Sequence, residues 1–139
     1  MGQYIRYGDV AIGDVFPPEP LAFHVSPSVV DAFVAAIGAD DGAIDGGGSH
    51  RRVPSMIAAV YLIDLLMARR SPPGGIHAKQ AIRFHRPIAT GETLSIQGTV
   101  IEKYVRKERP YVVAAYEARG TDGSLVSSGR VTSIWGPDQ

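Results

Sequence analysis

Side chains able to carry out acid–base chemistry gather in one short stretch of this chain. Asp40, Asp41 and Asp45 are followed by His50, and the glycine triplet 46–48 lies between them. A carboxylate and an imidazole held close together can activate a water molecule and return a proton to carbon, which is general acid–base catalysis. Because glycines leave the backbone loose, neighbouring elements must hold such a pair in place. We therefore interpret this stretch as a loop that carries a candidate active site.

The other titratable residues suggest no competing metal or phosphate site. The remaining histidines, His24, His77 and His85, are scattered and lack the paired spacing of metal ligands, so we predict no metal site. The glycine triplet has neither the preceding strand nor the following Lys-Ser/Thr of a phosphate loop. Asp64 is the one acid inside an apolar run, where it is either a helix-edge residue facing a partner or a catalytic base.

The element after the loop is predicted to be a central helix. It would start near Pro54, which suits a first helical turn, and end at about Ala68. Residues 56–67 are apolar around nearly the whole circumference, which is typical of a buried helix. Amides at the start of such a helix, helped by the helix dipole, can stabilise negative charge on a bound oxygen.

A second helix and a set of strands complete the predicted elements. Ser26 and Pro27 cap a helix with an apolar face that ends at Gly38, and an extended lead-in (8–20) and a short strand (21–25) precede it. After the Pro-Pro-Gly-Gly turn at 72–75 the chain alternates in strand fashion, and Asp122-Gly123 predicts a hairpin. This order indicates an α+β fold in which a long antiparallel sheet wraps around the central helix.

Composition narrows the function classes. The 139 residues fit one domain, 1–139, and the absence of cysteine excludes disulfides and thiolate sites. Lys plus Arg and Asp plus Glu both total 14, so no basic field favours nucleic acid. The first nine residues lack the apolar core of a signal peptide and the longest apolar run is too short to span a bilayer, so we expect a cytoplasmic protein. Three basic clusters are either solvated surface or contacts for a phosphate-bearing ligand such as coenzyme A: 51–52, 69–70 and 103–109.

Two segments of the second half resemble motifs of the MaoC-like (R)-specific enoyl-CoA hydratases and dehydratases, which have the hot-dog fold. One is similar to that family's F-x-R-P-V-x-x-G-D-T-L pattern and reads F-H-R-P-I-A-T-G-E-T-L over residues 84–94. The other is similar to D-G-x-L-V-x-x-G and reads D-G-S-L-V-S-S-G over residues 122–129. The resemblance implies a hot-dog domain that hydrates enoyl thioesters or dehydrates 3-hydroxyacyl thioesters.

The family's catalytic Asp and His are not found at their expected places. In the ungapped alignment to G-D-x-N-P-x-H, Ala39 and Ile44 occupy those two positions. A shift of one residue brings Asp40 to the position of the Asp, and Asp41 is a further alternative. Asp45 and His50 show the family's spacing of five, so they are the preferred catalytic pair.

The resemblance also implies the remaining parts of the site. Ser55 and Met56 stand where the family's Gly-Met supplies backbone amides to the thioester oxygen. The substrate would be an acyl thioester of coenzyme A or an acyl carrier protein, with no further cofactor. A hot-dog domain leaves a sheet edge open, so we expect a homodimer or a heterodimer with another hot-dog subunit, and no nucleic-acid or membrane partner. Two alternatives are a catalytically silent subunit and an acyl-CoA thioesterase that uses Asp64 as its base.

Overall fold

The computed structural model describes residues 4–38 and 53–138, and in this part of the chain the helices and strands form an α+β fold. The five strands make one antiparallel sheet in the order β1-β3-β4-β5-β2. Short 3-10 helices precede β1 and the second helix. The elements are α1 (Pro27–Ile37), α2 (Ala58–Met67), β1 (Val15–His24), β2 (Ile76–Phe84), β3 (Thr93–Arg106), β4 (Arg109–Arg119) and β5 (Leu125–Ile134).

Strand β1 is longer than the sequence predicts. It begins at Val15, inside the stretch interpreted as a lead-in, and pairs with β3 on both sides of an irregularity between Phe16 and Leu21. Three of the four intervening residues are prolines, which lack the N–H that a regular ladder requires. The side-chain amide of Gln97 donates instead to the carbonyls of Pro17 and Pro18, at 3.0 and 3.2 Å.

Helix α1 forms as its end signals predict. The Ser26 hydroxyl accepts a hydrogen bond from the Val29 amide at 3.2 Å, and Pro27 occupies the first turn. Gly38 ends the helix with a left-handed φ of 69°. Val30 and Val34 are the buried residues of its apolar face.

Helix α2 packs one side against the sheet, so the prediction of burial all round is wrong for the chain by itself. Ala58, Tyr61, Leu62 and Leu65 are buried. On the other side Ile63 is 58% exposed and Met67 is 73% exposed, and Asp64 is also exposed. The physical reason is that a single sheet covers only one side of a helix. The α-helix also starts later than predicted, at Ala58, after a 3-10 turn at Ser55–Ile57.

The core lies between α2 and the inner face of the sheet. Tyr61 contacts two strands that are far apart in the sheet. Its ring lies 5.5 Å from that of Phe23 in the edge strand β1, and its hydroxyl forms a hydrogen bond with Ser127 in β5. Strand β2, one of the two edge strands of the sheet, is exposed along almost its whole length. No helix within residues 4–38 or 53–138 is long and apolar enough to cross a membrane.

Candidate functional site

The amino end of α2 lies at one defined end of the sheet. Tyr61, in the first turn of α2, forms a hydrogen bond with Ser127, the third residue of β5. Ser127 in turn pairs with Phe84, the last residue of β2. The helix therefore begins near the end of the sheet at which β2 finishes and β5 starts.

The 3-10 turn before α2 presents backbone donors. The Ile57 amide donates to the Pro54 carbonyl at 3.0 Å, and the Ala58 amide donates back into the turn. Within the described ranges, no residue accepts a hydrogen bond from the amide of Ser55 or Met56. Both residues are exposed. Amides at a helix start, with the positive end of the helix dipole behind them, suit an oxygen that gains negative charge.

The predicted acid–base residues cannot be placed by the structure. Asp45 and His50, and the alternates Asp40 and Asp41, lie outside the described residues. Their assignment as catalytic groups stays a prediction.

The two motif segments contact each other through Arg86. Its guanidinium forms an ion pair with Glu92 across the β2–β3 turn and reaches the β4–β5 hairpin, with Nε donating to Ser124 Oγ at 2.8 Å and Nη2 lying 3.7 Å from Asp122. The hydrogen bond from Arg86 lowers the pKa of Glu92. Gly91 supports the turn with a φ of 92°, which favours glycine. In this protein the Arg, Gly and Glu of the first motif thus have a structural role.

A buried cluster of hydroxyl groups lies beneath α2, and the sequence analysis missed it. Ser127 Oγ lies 2.5 Å from Tyr61 Oη and accepts a hydrogen bond from Tyr116 Oη at 3.3 Å. All three side chains are buried. Burial raises the pKa of both phenols, that of Tyr116 to about 12, although the hydrogen bond to Ser127 acts in the opposite direction. The alternation along β4 could have shown that Tyr116 faces inward, but no sequence signal links it to Ser127.

The other candidate residues are dispersed over the surface. The His85 ring bonds Ser128 Oγ at 2.8 Å, and the His24 ring bonds Thr93 Oγ1 at 2.9 Å. His77 and Asp64 are exposed on different elements. In residues 4–38 and 53–138 no three metal-ligating side chains come together.

Two residues of the basic clusters, Lys103 and Arg69, make contacts inside the protein. Lys103 Nζ donates to the carbonyls of Tyr7 and Val10, both at 2.8 Å, which fixes the segment before β1 to the sheet. Arg69 is only 8% exposed, so the solvated interpretation is wrong for it, whereas Arg70 is exposed.

Known structures share this architecture over almost the whole chain. The unliganded R-hydratase PhaJ1 from Pseudomonas aeruginosa superimposes with a TM-score of 0.80 at 19% identity, covering 97% of this chain and 88% of that one. The chain has a hot-dog fold. The same hot-dog architecture occurs in a MaoC-like dehydratase from Rhodospirillum rubrum, with a TM-score of 0.71 at 18% identity, covering 95% of this chain and 97% of that one.

A second kind of hot-dog neighbour is part of a complex. The C-terminally truncated HadBC (3R-hydroxyacyl-ACP dehydratase) complex from Mycobacterium tuberculosis matches with a TM-score of 0.73 at 21% identity, covering 91% of this chain and 98% of that one. No protein-family model and no curated protein matches the sequence. The fold implied by the two motifs is thus confirmed by structure, at identities too low to carry over an activity.

Proposed function

We propose that this chain is a hydratase-like protein of the MaoC type, which adds water to enoyl thioesters or removes it from (R)-3-hydroxyacyl thioesters. The observation that supports this most directly is the start of α2. There the Ser55 and Met56 amides have no acceptor among the described residues, in a fold shared with an R-hydratase.

In the proposed reaction each group has one task. Asp45 and His50 activate a water molecule, its oxygen bonds to the β-carbon, and the proton that leaves the water is returned to the α-carbon. As the C–O bond forms, negative charge moves onto the thioester oxygen. The Ser55 and Met56 amides stabilise this charge by hydrogen bonds, and losing one such donor typically costs about 2.7–4 kcal/mol of barrier. The reverse sequence dehydrates the hydroxyacyl thioester, and neither direction requires a further cofactor.

The test follows the loss of absorbance of crotonyl-CoA and of longer enoyl thioesters, with coenzyme A and acyl-carrier-protein forms compared. Wild type should hydrate at least one of them. His50→Ala and Asp45→Asn should each lower kcat by at least about a hundredfold, the size expected for a general acid–base group. His24→Ala is the matched control, because His24 is exposed and bonded to Thr93.

The outcomes separate the possible bases. Full activity in Asp45→Asn with a loss in Asp40→Asn or Asp41→Asn would move the carboxylate to one of the alternates. Full activity in His50→Ala would remove that residue from the mechanism. No turnover of any chain length on either carrier by the chain alone would refute a self-sufficient hydratase.

A second candidate is a silent subunit that completes the site of an active hot-dog partner. Ala39 and Ile44 stand where the family's Asp and His are expected, which favours it. The exposed edge strand β2 and the apolar outer side of α2 offer surface for such a partner. Hydration that appears only after addition of a second hot-dog chain would support this candidate, whereas a fully active isolated chain would exclude it.

Thioester hydrolysis is the remaining proposal, and it depends on Asp64. The exposed position of this carboxylate, on the side of α2 away from the sheet, favours its alternative interpretation as a residue that faces a partner. Release of free thiol from acyl-CoA that is abolished by Asp64→Asn would support hydrolysis instead.

A further inference from the structure

Arg69, just beyond the carboxyl end of α2, is a buried cation with unused hydrogen-bonding capacity. Its side chain donates from Nη2 to Ser133 Oγ at 3.1 Å. Its Nε and Nη1 atoms are buried and have no hydrogen-bond partner among the described residues. These two nitrogens carry three of the five N–H groups of a guanidinium. Buried donors are nearly always satisfied in native proteins, so three unmet N–H groups call for an acceptor.

Nothing in the described part of the chain neutralises the Arg69 charge. No Asp or Glu of residues 4–38 or 53–138 lies within 4.0 Å of it. The rings of Trp135 and Phe16 lie 5.0 and 6.0 Å from its central carbon and offer a partial cation–π interaction. Burial lowers the pKa of Arg69 to about 10, so the group remains charged at neutral pH. A buried charge of this kind is stable only with a compensating partner.

Two recesses meet at this side chain. The smaller has a volume of about 220 Å³, and its lining includes the polar residues Ser71, His77 and Ser133. The larger, about 500 Å³, is lined by Arg70, Ile63 and Met67. Arg69, Leu66 and Ser71 border both. The smaller recess has the size and the donors for a small oxyanion.

We propose that Arg69 and the smaller recess form a binding site for an oxyanion, either a carboxylate or a phosphate group. A guanidinium can donate several N–H groups at once to the oxygen atoms of such a group, and Ser71 and Ser133 lie in the lining of the same recess. Arg70 adds a second positive charge, which outweighs the partial negative charge at the carboxyl end of α2.

This site is separate from the proposed thioester site. Ser55 lies just before α2 and Arg69 just beyond its other end, and the ten residues of α2, at a rise of about 1.5 Å each, separate them by about 15 Å or more. An oxyanion at Arg69 would therefore bind independently of catalysis, and its test does not require an active enzyme.

The experiment titrates the full-length, ¹⁵N-labelled protein with inorganic phosphate and, in parallel, with acetate, while sodium chloride keeps the ionic strength constant. The arginine Nε–H resonances and the thermal midpoint are followed together. In wild type one resonance should move to saturation and the midpoint should rise, because a ligand that binds only the folded state stabilises it. A stronger response to phosphate would identify a phosphate-bearing ligand, and a stronger response to acetate a carboxylate.

Two variants assign the response. Arg69→Met should remove the moving resonance and weaken binding by at least about tenfold, the loss expected for a charge-assisted hydrogen bond. Arg83→Met is the matched control: its affinity should stay within about threefold of wild type, because Arg83 is exposed and pairs with Ser128, away from Ser133. If Arg69→Met does not fold, the wild-type and Arg83→Met spectra still decide whether a buried arginine responds.

Three results would overturn the proposal. One is the absence of any saturable change with either anion. Another is a loss of binding in Arg83→Met that Arg69→Met does not show. The third is a resonance that moves with protein concentration and not with anion, which would identify the acceptor as a carboxylate of a second copy of the chain.

Discussion

Replacing Ser127 with alanine should destabilise the protein more than its single small hydroxyl group suggests. Ser127 Oγ is the hydrogen-bond partner of both Tyr61 and Tyr116, and all three side chains are buried. Ser127→Ala removes the partner of two phenols at once. A buried polar group without a partner costs about 1–3 kcal/mol, so for two phenols we expect a loss of about 2–6 kcal/mol in the free energy of unfolding.

Tyr61→Phe provides the comparison that makes this prediction specific. It removes one phenol hydroxyl and leaves Ser127 bonded to Tyr116, so it should cost only about 0.5–1.5 kcal/mol, the net value of one hydrogen bond. Urea denaturation followed by fluorescence and circular dichroism measures both losses. Ser95→Ala, an exposed serine on β3, is the control and should change stability by less than about 0.5 kcal/mol. A cost for Ser127→Ala no larger than that of Tyr61→Phe would refute the reasoning.

Three further predictions concern the stability of the folded protein. Glu92→Gln should lower stability at neutral pH by about 1–3 kcal/mol and flatten the loss of stability in acid. The reason is that Arg86 lowers the pKa of Glu92 in the folded state, so this contribution is present above the ordinary value of 4.5 and is lost as pH falls through the lowered pKa; urea midpoints from pH 7 to 2 measure it. Because burial raises the pKa of Tyr116 from 10 to about 12, its contribution is present below pH 10 and is lost between pH 10 and 12, by up to about 3 kcal/mol, and Tyr116→Phe should lack this part of the alkaline loss. Gly98→Ala places a methyl group 2.6 Å from the Phe16 ring and should cost about 1–3 kcal/mol in thermal unfolding, a cost that Phe16→Leu in the same chain should partly reverse.

Local signals in the sequence were sufficient for most of the elements. The Ser26 cap, the Gly38 stop and the Asp122-Gly123 hairpin act through contacts a few residues apart, and each is found where it was predicted. The first part of β1 could not be predicted in this way. Its prolines indicate a loop locally, and the pairing that makes it a strand comes from β3, about 80 residues further along the chain.

The candidate site is predictable only where its geometry is local. Every helix has unpaired amides at its start, and the resemblance to the family's Gly-Met assigned this role to Ser55 and Met56 in the sequence. The cluster of Tyr61, Tyr116 and Ser127 joins a helix to two strands, and nothing in any one segment indicates it. The burial of Arg69 could not be predicted either. An Arg-Arg pair is typical of a surface, yet the fold buries the first arginine of this pair.

Helix α2 shows why an apolar pattern does not by itself define what covers it. The residues on its two sides are equally apolar in sequence, but Leu62 and Leu65 lie against the sheet while Ile63 and Met67 are exposed. A five-stranded sheet covers one side of a helix, so the sheet does not explain the apolar character of the other side. The exposed edge strand β2 raises the same question about the sheet. Association through both surfaces would account for the nearly complete apolar circumference of α2, which is why the oligomeric state should be determined before any activity of the isolated chain is interpreted.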